Sequence, residues 1–296
     1  MDDADLMRVA HVLAALVALF VAYHALFAPS PSRPLTKKWS KFKIMGKKTV
    51  SRSQTRPVVF FTIGAGVSGL PTGSHVRVRA EDPETGKMVE RKYTPTRFDG
   101  KCCELMLRIY PYGKLTQLLY KLNVGDDIEM CGPVGLHRYA LKGPGTFSHG
   151  KKSFGPVKRI GMIAGGTGIT PMLQIINHVL QDPDDNTQLH LLECNSTSKD
   201  IMMEARLRDL ASSSGGQLTV TFAISNAEEG QTAESDRYTF ASLSKDTLDA
   251  SAIEAAMPGC WRSDGFICLC GPDGFCEKAE SLVRSMPRFD AHIMTW

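Results

Sequence analysis

The spacing of apolar residues predicts two differently built halves in this chain. From Pro57 onward, apolar and polar residues alternate with a period of two, in short runs separated by glycine, proline and aspartate. Alternate side chains of a strand point to opposite faces, so this pattern predicts a small antiparallel β-barrel. A run with helical spacing, Leu115–Leu122, predicts one helix inserted in a barrel connection. The predicted strands are Val58–Ile63, His75–Ala80, Met88–Tyr93, Cys103–Tyr110 and Asp127–Cys131.

After residue 156, short apolar runs alternate with helix-like segments. This alternation predicts parallel strands joined by crossover helices, a fold that binds ligands at the carboxyl ends of its strands. The polar region from Asn226 to Gly259 is predicted to be a long loop with one helix near Thr247–Met257. The predicted strands are Ile160–Ala164, Leu189–Cys194, Leu218–Ile224 and Phe266–Cys270, and the predicted helices are Met172–Leu180, Ile201–Leu210 and Phe275–Met286.

The segment Val9–Phe27 contains 19 residues without a charge. A helix of that length spans roughly 28 Å, close to the hydrocarbon thickness of a bilayer, and predicts one transmembrane helix. A cleaved signal peptide and a buried helix are the alternatives; the acidic start and long apolar run disfavour the signal peptide. The predicted organisation is a membrane anchor over 1–29, a basic linker over 30–56, a barrel over 57–142, a linker over 143–156 and an α/β parallel-sheet domain over 157–296.

Charge is distributed unevenly along the chain. The net charge is +4, but nine basic residues and no acid lie between Ser30 and Arg56, which leaves the rest slightly acidic. A nucleic-acid partner is therefore not expected, because such proteins carry a basic face on the folded domain. The positive-inside rule places the domains in the cytosol, on the endoplasmic reticulum or the mitochondrial outer membrane. The basic stretch is either a lipid-contacting segment or only this topology signal.

The eight cysteines show no spacing typical of a metal or thioredoxin-type site. We therefore predict no metal. Reduced thiols facing the cytosol are the simpler interpretation, because a chain of this length does not need disulfides for its core.

A glycine-rich turn stands between a predicted strand and a predicted helix. It reads Gly165, Gly166, Thr167, Gly168, Ile169, Thr170, Pro171. Thr170 suits the N-cap, Pro171 suits the first helical position, and the glycines allow a phosphate or flat ring to approach backbone amides. The turn predicts a nucleotide site, with a plain tight turn as the alternative. It matches neither the usual dinucleotide fingerprint nor a P-loop.

Three further motifs suggest ligand contacts. Arg91 and Tyr93 share one face of a predicted strand, as a diphosphate joined to a flat heterocycle would require. Gly113, Lys114, Leu115 and Thr116 open the inserted helix, whose amides could hold the same diphosphate. Cys270, Gly271 and Pro272 end the last predicted parallel strand. Taken singly, each has a plain structural explanation: an exposed pair, an ordinary helix start and a core cysteine.

In this order, the motifs resemble those of the NADH-cytochrome b5 reductases within the ferredoxin-reductase superfamily. The resemblance covers roughly Pro57 to the C-terminus and implies FAD in the barrel and NADH at the parallel sheet. It implies that Arg91 neutralises the FAD diphosphate, that Tyr93 packs on the flavin and that Thr94 bonds near the reactive ring nitrogen. It further implies flavin contacts from Arg108, Tyr110, Gly113, Lys114, Leu115 and Thr116, and nicotinamide-side contacts from Gly165, Gly166, Thr167, Gly168, Thr170, Pro171, Cys270, Gly271 and Pro272.

The resemblance implies a membrane-anchored enzyme that passes hydride from NADH to FAD and then single electrons to a haem protein such as cytochrome b5. Tyr93, Thr94, Thr170 and Cys270 would shape the hydride geometry. Basic candidates for acceptor docking are Lys92, Arg97, Lys101, Lys114 and Lys121.

Several departures from the family leave alternatives open. The run after the third parallel strand, Ala223 to Asn226, lacks the acid that disfavours a 2′-phosphate, so NADPH is possible. Asp273 to Phe275 also differs from the family. An NADPH reductase for another acceptor and a membrane-tethered scaffold without turnover are therefore the alternatives. Trp296 either covers the flavin or belongs to a frayed terminus, and the frayed terminus is favoured here.

Overall fold

The structure is a computed structural model that describes residues 33–50, 56–66, 70–135, 137–140, 142–225, 238–242, 248–262 and 264–296. The predicted anchor at 9–27 lies outside these ranges. Inside them, no helix combines the length and the apolar character needed to cross a membrane.

The first half of the chain forms an antiparallel domain. Seven strands make one sheet in the order β6, β5, β9, β2, β3, β8, β7, while β1 and β4 pair separately in parallel. This antiparallel sheet confirms the coarse prediction for the first half, and the inserted helix α1 covers Lys114–Lys121. The strands are β1 Arg33–Pro34, β2 Ser40–Thr49, β3 Val58–Ile63, β4 Ala65–Gly66, β5 His75–Glu81, β6 Met88–Tyr93, β7 Arg97–Phe98, β8 Cys103–Arg108 and β9 Asp127–Val134.

Strand β2 corrects the prediction of a basic linker over residues 30–56. It pairs with β3 on one side and β9 on the other. Its alternation buries Phe42 and Ile44, while Lys41 and Lys43, on either side of Phe42, are exposed. Lys43 reaches Asp127 at 3.0 Å. The high lysine content therefore reflects the solvent face of a strand.

The predicted linker over 143–156 also contains regular structure. A small antiparallel sheet is formed by β10 His137–Tyr139, β11 Phe147–His149 and β12 Lys152–Phe154. The Tyr139 hydroxyl donates to Asp185 Oδ2 at 2.7 Å, and Phe147 stacks on Phe266 with ring centroids 3.8 Å apart. Since Asp185 and Phe266 belong to the second half of the chain, this sheet fastens the two halves together.

The second half forms a parallel domain, as predicted. Its sheet runs β16, β15, β14, β13, β17, β18, and all neighbours are parallel. Strands β16 and β18 were not predicted; β16 lies in the region predicted as a loop. The elements are β13 Arg159–Gly165, α2 Ile169–Gln181, β14 Gln188–Asn195, α3 Glu204–Ser213, β15 Leu218–Ile224, β16 Tyr238–Ser242, α4 Ala250–Ala256, β17 Gly265–Cys270, α5 Asp273–Ser285 and β18 His292–Thr295.

Burial is nearly continuous along the central parallel strands, because helices cover both faces of their sheet. Residues of α2 and α3 pack on one face, and residues of α4 and α5 pack on the other. Val58 and Met106 of the antiparallel domain join the first of these clusters. The two domains thus share a hydrophobic core, which fixes the cleft between them.

A buried glutamine crosses the same domain boundary. Gln174 of α2 donates from Nε2 to the Pro95 carbonyl at 3.0 Å and accepts from the Gly73 amide at 2.9 Å. Both partners belong to the antiparallel domain. Each of these two hydrogen bonds satisfies a polar group that is buried at the domain boundary. Together they hold α2 in a defined position against the first domain.

Candidate functional site

A cavity of about 640 Å³, here named the main cavity, opens between the two domains and is lined by both. Its size is typical of small-molecule sites. Most of the predicted site residues line it: Arg91, Tyr93, Thr94, Arg108, Tyr110, Gly113, Lys114, Leu115, Thr116, Thr167, Gly168, Thr170, Pro171, Cys270 and Gly271.

A second cavity of about 670 Å³ adjoins the first beyond the glycine turn. It contains the remaining predicted residues, Gly165, Gly166 and Pro272. Arg108, Tyr110, Thr167 and Gly271 line both cavities. The structure therefore brings all the predicted residues to one connected pair of cavities.

The barrel side of the main cavity is built on the outermost strand of the antiparallel sheet, β6. Arg91 is exposed there, and its Nη1 donates to the neighbouring Glu90 carbonyl at 2.7 Å. Tyr93 packs against the core of the antiparallel domain. Burial raises the pKa of the Tyr93 phenol to about 12, opposed by the nearby Arg91. A cation and a protonated phenol thus stand together on one wall.

The start of α1 forms the adjacent part of this wall. No side chain caps the helix, so its first amides remain oriented toward the cavity end of the axis. The Thr116 hydroxyl donates back to the Gly113 carbonyl at 3.0 Å. Lys114 is paired with Asp82, with Nζ and Oδ2 3.3 Å apart. Backbone contacts from Glu84 and the Thr85 hydroxyl, then Lys114, lower the pKa of Asp82.

The opposite wall comes from the glycine turn. A short 3-10 helix covers Gly166–Gly168, and α2 follows directly with Gly168 at its N-cap. The prediction that Thr170 is the N-cap is therefore wrong: its hydroxyl donates to the Thr167 carbonyl at 3.1 Å. The extra turn of 3-10 helix displaces the helix start by two residues.

Glycine is required at two positions of this turn. Gly166 has φ +55°, which side-chain-bearing residues rarely adopt. A Cβ at Gly168 would overlap the Cys270 carbonyl. This close approach places the ends of β13 and β17 side by side, so that Cys270 and Thr170 face the same cavity. Burial, with a smaller contribution from Cys276, raises the pKa of the Cys270 thiol to about 12.

Arg108 occupies the boundary between the two cavities. Its side chain is 7% exposed, and Nη2 donates to the Asp200 carbonyl at 2.5 Å. The Asp200 carboxylate lies 3.9 Å away. Because Asp200 belongs to the parallel domain, this guanidinium ties β8 across the domain boundary. The expected contact of Arg108 with the flavin remains a prediction.

One wall of the main cavity is formed by Trp296 and three histidines that the sequence analysis did not single out, His75, His137 and His149. His137 pairs with His149 across β10 and β11, with their Nδ1 atoms 3.3 Å apart. Burial is the largest cause that lowers the pKa of both His75 and His137 to about 4. The alternation around His137 and His149 is the one local signal that could have indicated these strands.

The favoured prediction that Trp296 belongs to a frayed terminus is wrong. Its backbone amide donates to the Leu269 carbonyl at 2.9 Å, continuing the register of β18 beside β17. Its indole donates to the Gly73 carbonyl at 3.3 Å, and its ring lies 4.8 Å from that of His137. These contacts hold the last residue against the main cavity.

The walls of the two cavities fit FAD and a nicotinamide dinucleotide. A diphosphate requires a cation and free amides, which Arg91 and the uncapped α1 provide beside Tyr93. The second cavity begins at a glycine turn without side-chain obstruction. Among the described residues, no group of three or more side chains is arranged to hold a metal ion.

Comparison with known proteins matches both domains of the chain to oxidoreductase families. An oxidoreductase FAD-binding domain family matches residues 41–139, and an oxidoreductase NAD-binding domain family matches residues 162–281. The chain is 34% identical over 253 residues to NADH-cytochrome b5 reductase 1 of Bos taurus, covering 81% of this chain and 79% of that protein.

A solved structure and a longer enzyme are also similar. The structure is the cytochrome b5 reductase domain of Ulva prolifera nitrate reductase, at 28% identity and TM-score 0.72, covering 89% of this chain and all of that one. The enzyme is the NADPH nitrate reductase of Leptosphaeria maculans, 30% identical over 265 residues, which span 86% of this chain and 28% of that protein.

Fold, cavities and domain matches together define a two-domain oxidoreductase that uses FAD and a nicotinamide dinucleotide. The identity and coverage of its relatives place the chain in the NADH-cytochrome b5 reductase family. It is an NADH-dependent flavoprotein reductase. This assignment sets aside the alternative of a scaffold without turnover.

Proposed function

We propose that this protein is a membrane-anchored reductase that passes electrons from NADH, through FAD, to cytochrome b5 or a similar haem protein. The observation that carries the proposal is the main cavity itself, where Arg91 and Tyr93 of one domain face Thr170 and Cys270 of the other. A donor and a flavin placed on those two walls would meet inside one cleft. The relatives are named for cytochrome b5, which supports that acceptor.

Bound FAD would supply the redox chemistry, since a flavin accepts a hydride and can release electrons singly. The side chains of this protein bind and orient. Arg91 would neutralise the diphosphate, and Tyr93 and Thr94 would hold the ring system. Lys114 would contribute only in part, because Asp82 already holds its ammonium group.

On the donor side, Thr170 and Cys270 would shape the approach of the nicotinamide. The Cys270 thiol remains protonated near neutral pH, because burial raises its pKa to about 12. It therefore acts as a compact, neutral contact surface. No side chain needs to carry a proton for hydride transfer, so geometry is the main contribution of the protein.

Acceptor docking would take place at the basic surface around the α1 end of the main cavity. Lys92, Lys114 and Lys121 are exposed on or beside this wall, whereas Arg97 and Lys101, which are also exposed, lie on and after β7 at the other end of the strand order. Tyr112 is 98% exposed and lies in the loop between β8 and α1. A cationic rim with an aromatic contact suits an acidic haem protein, and complementary charge would mainly raise the association rate.

Anchoring would come from residues 9–27, with the two domains in the cytosol on the endoplasmic reticulum or the mitochondrial outer membrane. The uncharged length supports this proposal. Flotation of the full chain with phospholipid vesicles tests it. A variant carrying Leu16→Arg and Leu19→Arg should lose flotation, while Lys37→Gln with Lys38→Gln should retain it. Equal flotation of the first variant and the wild type would contradict the anchor.

The direct test of the acceptor uses purified full-length protein with NADH and cytochrome b5. We expect reduction of the haem that slows at high salt, because exposed charges are screened. Reduction of an artificial small acceptor but not of cytochrome b5 would contradict this acceptor while leaving the reductase intact.

A second candidate acceptor follows from the match to nitrate reductase. In that protein the matching region is 28% of a longer chain. We infer that the remainder of such a longer redox protein is the second candidate acceptor. Comparing reduction rates with cytochrome b5 and with a nitrate reductase fragment that lacks the matching region separates the two candidates.

A further inference from the structure

A third cavity, here named the rear cavity, lies at the domain boundary away from the main cavity and the second cavity. Its volume is about 570 Å³, and it shares no lining residue with either of them. It is lined by residues 70–72, 96–98 and 139–140 of the first half of the chain and by side chains of α2 and α3. A cleft of this size between two domains is typical of a small-molecule site.

Hydrogen bonds between the domains hold the lining of the rear cavity in place. Gln174 is 4% exposed, and two backbone groups of the antiparallel domain hold its side-chain amide at 3.0 and 2.9 Å. One turn further along α2, His178 Nδ1 lies 3.0 Å from the Thr72 hydroxyl oxygen, and the ring meets that of Tyr139 edge to face. The rear cavity is therefore preformed, so a ligand would lose little free energy to ordering its walls.

One arginine from each domain lines the rear cavity. Arg97 begins β7 and is exposed, and Arg206 lies in the first turn of α3. Arg206 Nη2 donates to Asn177 Oδ1 at 3.1 Å. Neither guanidinium group forms an ion pair within the part of the chain that the structure describes. A negatively charged group in this cavity would therefore be attracted by both domains at once.

The carboxylates close to the rear cavity already have hydrogen-bond partners. Asp185 and Glu104 each accept a hydrogen bond from the hydroxyl of a lining residue, and Asp99 accepts from backbone amides of its own turn. None of the three lines the cavity, although Glu104 is the strand partner of Arg97. The residues next in sequence to the lining that the structure does not describe, 67–69 and 141, carry no charge. The arginines thus face the cavity as its only charged lining groups among the described residues.

The rear cavity also has an apolar part. Leu70, Pro71, Phe98 and Ala140 line it beside the polar side chains. Apolar surface of this kind gains free energy when an aromatic or aliphatic group covers it. The lining therefore suits an anion that carries an apolar body better than it suits a free inorganic ion.

We infer that the rear cavity binds a small organic anion, whose carboxylate or phosphate contacts Arg97 and Arg206 and whose apolar body covers Leu70 and Phe98. This site goes beyond the proposed function, because it uses none of the residues assigned to FAD or NADH. A carboxylate and a phosphate ester share the same recognition chemistry here, since both accept hydrogen bonds from a guanidinium group.

The experiment measures the binding of four probes to the full-length, FAD-bound protein by calorimetry. Phenyl phosphate and benzoate are the organic anions, and phenol and inorganic phosphate are the controls. An excess of NAD⁺ is present to compete at the main cavity. We expect at least one organic anion to bind at a single site about tenfold more tightly than both controls, and the tighter anion identifies the head group.

Two results would overturn the inference. One is the absence of binding by both organic anions. The other is binding of phenol or of inorganic phosphate that is as tight as that of the organic anions, because a neutral ring or a bare ion would then suffice.

A double variant assigns the binding to the rear cavity. Arg97→Gln combined with Arg206→Gln should weaken the organic anion about tenfold or more, because both charge-assisted contacts are lost. The matched control is Lys87→Gln combined with Arg262→Gln, which removes one exposed cation from each domain outside the cavity. The control should leave the affinity unchanged. Equal losses in the two double variants would contradict the site, since net charge alone would then explain the binding.

A single variant tests the same site in the opposite way. Asn177→Asp places a carboxylate beside Arg206, 3.1 Å from its Nη2 in the present geometry. It should weaken the organic anion about tenfold, because the new carboxylate repels it and occupies the guanidinium group. Retained absorption of bound FAD shows that the variant is folded. Undiminished binding in folded Asn177→Asp would contradict the site.

These binding measurements require neither hydride transfer nor an acceptor. Failure of the anion to bind would therefore overturn the inference and leave the proposed function. Binding of the anion to a protein that does not reduce cytochrome b5 would support the inference and refute the proposed acceptor.

Discussion

The two walls of the main cavity are built by opposite means. The antiparallel domain contributes side chains from an exposed strand, chiefly Arg91 and Tyr93. The parallel domain contributes backbone, at a turn where Gly166 and Gly168 leave no room or conformational freedom for a side chain. A side chain of the antiparallel domain's wall can therefore be shortened without disturbing the fold. A side chain added to the glycine turn of the parallel domain would displace the end of a strand.

This difference separates binding from folding. Arg91 donates one hydrogen bond to its own neighbour, and its side chain is exposed. Gly168 is buried, and the end of β17 packs against it. We expect substitutions on the side-chain wall to lower the affinity for the cofactor. Substitutions on the backbone wall should lower the free energy of unfolding of the protein.

The largest effect is expected for Gly168→Ala. The new Cβ would overlap the Cys270 carbonyl, a rigid backbone group that can move only with β17. We expect a loss of about 3 kcal/mol in the free energy of unfolding, measured by urea denaturation. Gly274→Ala in α5 is the control, because nothing lies within 4 Å of its Cβ position. Equal stability of Gly168→Ala and Gly274→Ala would show that the backbone wall tolerates an added side chain.

Arg91→Ala is expected to have the next largest effect, on FAD affinity. Loss of a charge-assisted contact to phosphate should cost about 2 kcal/mol, or roughly thirtyfold in Kd. The urea midpoint of the FAD-free protein should remain that of the wild type, because the side chain is exposed. The measurement is FAD fluorescence during titration, with Lys101→Ala as the control. Unchanged FAD affinity would contradict the assignment of this wall.

A smaller, pH-dependent effect is expected at Glu193. This fully buried carboxyl accepts from Asn195 Nδ2 at 3.1 Å, and burial raises its pKa to about 8. Between pH 4.5 and 8 the folded state then binds more protons than the unfolded state, so stability falls as pH rises through this window. Glu193→Gln should flatten that fall and melt about 3 °C higher than wild type at pH 8. A parallel pH dependence in the variant would refute this.

The smallest effect is expected at His190 on β14, which does not line the main cavity. Burial, then Arg159, lowers the pKa of His190 to about 4. The unfolded state binds more protons between pH 6.5 and 4, so stability is full above 6.5 and falls as pH drops. His190→Gln should narrow the difference in melting temperature between pH 7 and pH 5. An unchanged difference would exclude His190 as its source.

Local patterns predicted most of the fold. Strands β3, β6 and β15 match their predicted bounds, because alternation or a continuous apolar run marks each of them. Strand β2 was missed since its lysines dominate its composition, although Phe42 and Ile44 alternate between them. Strand β16 was missed because it lies in a polar region and gains its place only by pairing with β15.

The residues of the site also divide into those that a local pattern predicts and those that it does not. Motifs within a few residues of one another were predictable, such as Arg91 with Tyr93 and the glycine turn. Contacts between distant parts of the chain were not: the indole of Trp296 bonds the Gly73 carbonyl across 223 positions. The same holds for the Gln174 contacts to Gly73 and Pro95. No local pattern records such pairings, which arise only when the domains pack.

We expect both walls of the main cavity to serve one electron transfer from a nicotinamide to a flavin. Anaerobic titration of the purified FAD-bound protein with NADH measures this transfer. We predict that the visible absorption of the flavin bleaches in proportion to added NADH and is complete at one equivalent per FAD. Full flavin occupancy with no bleaching by NADH would show that the two walls do not bring a nicotinamide to the flavin.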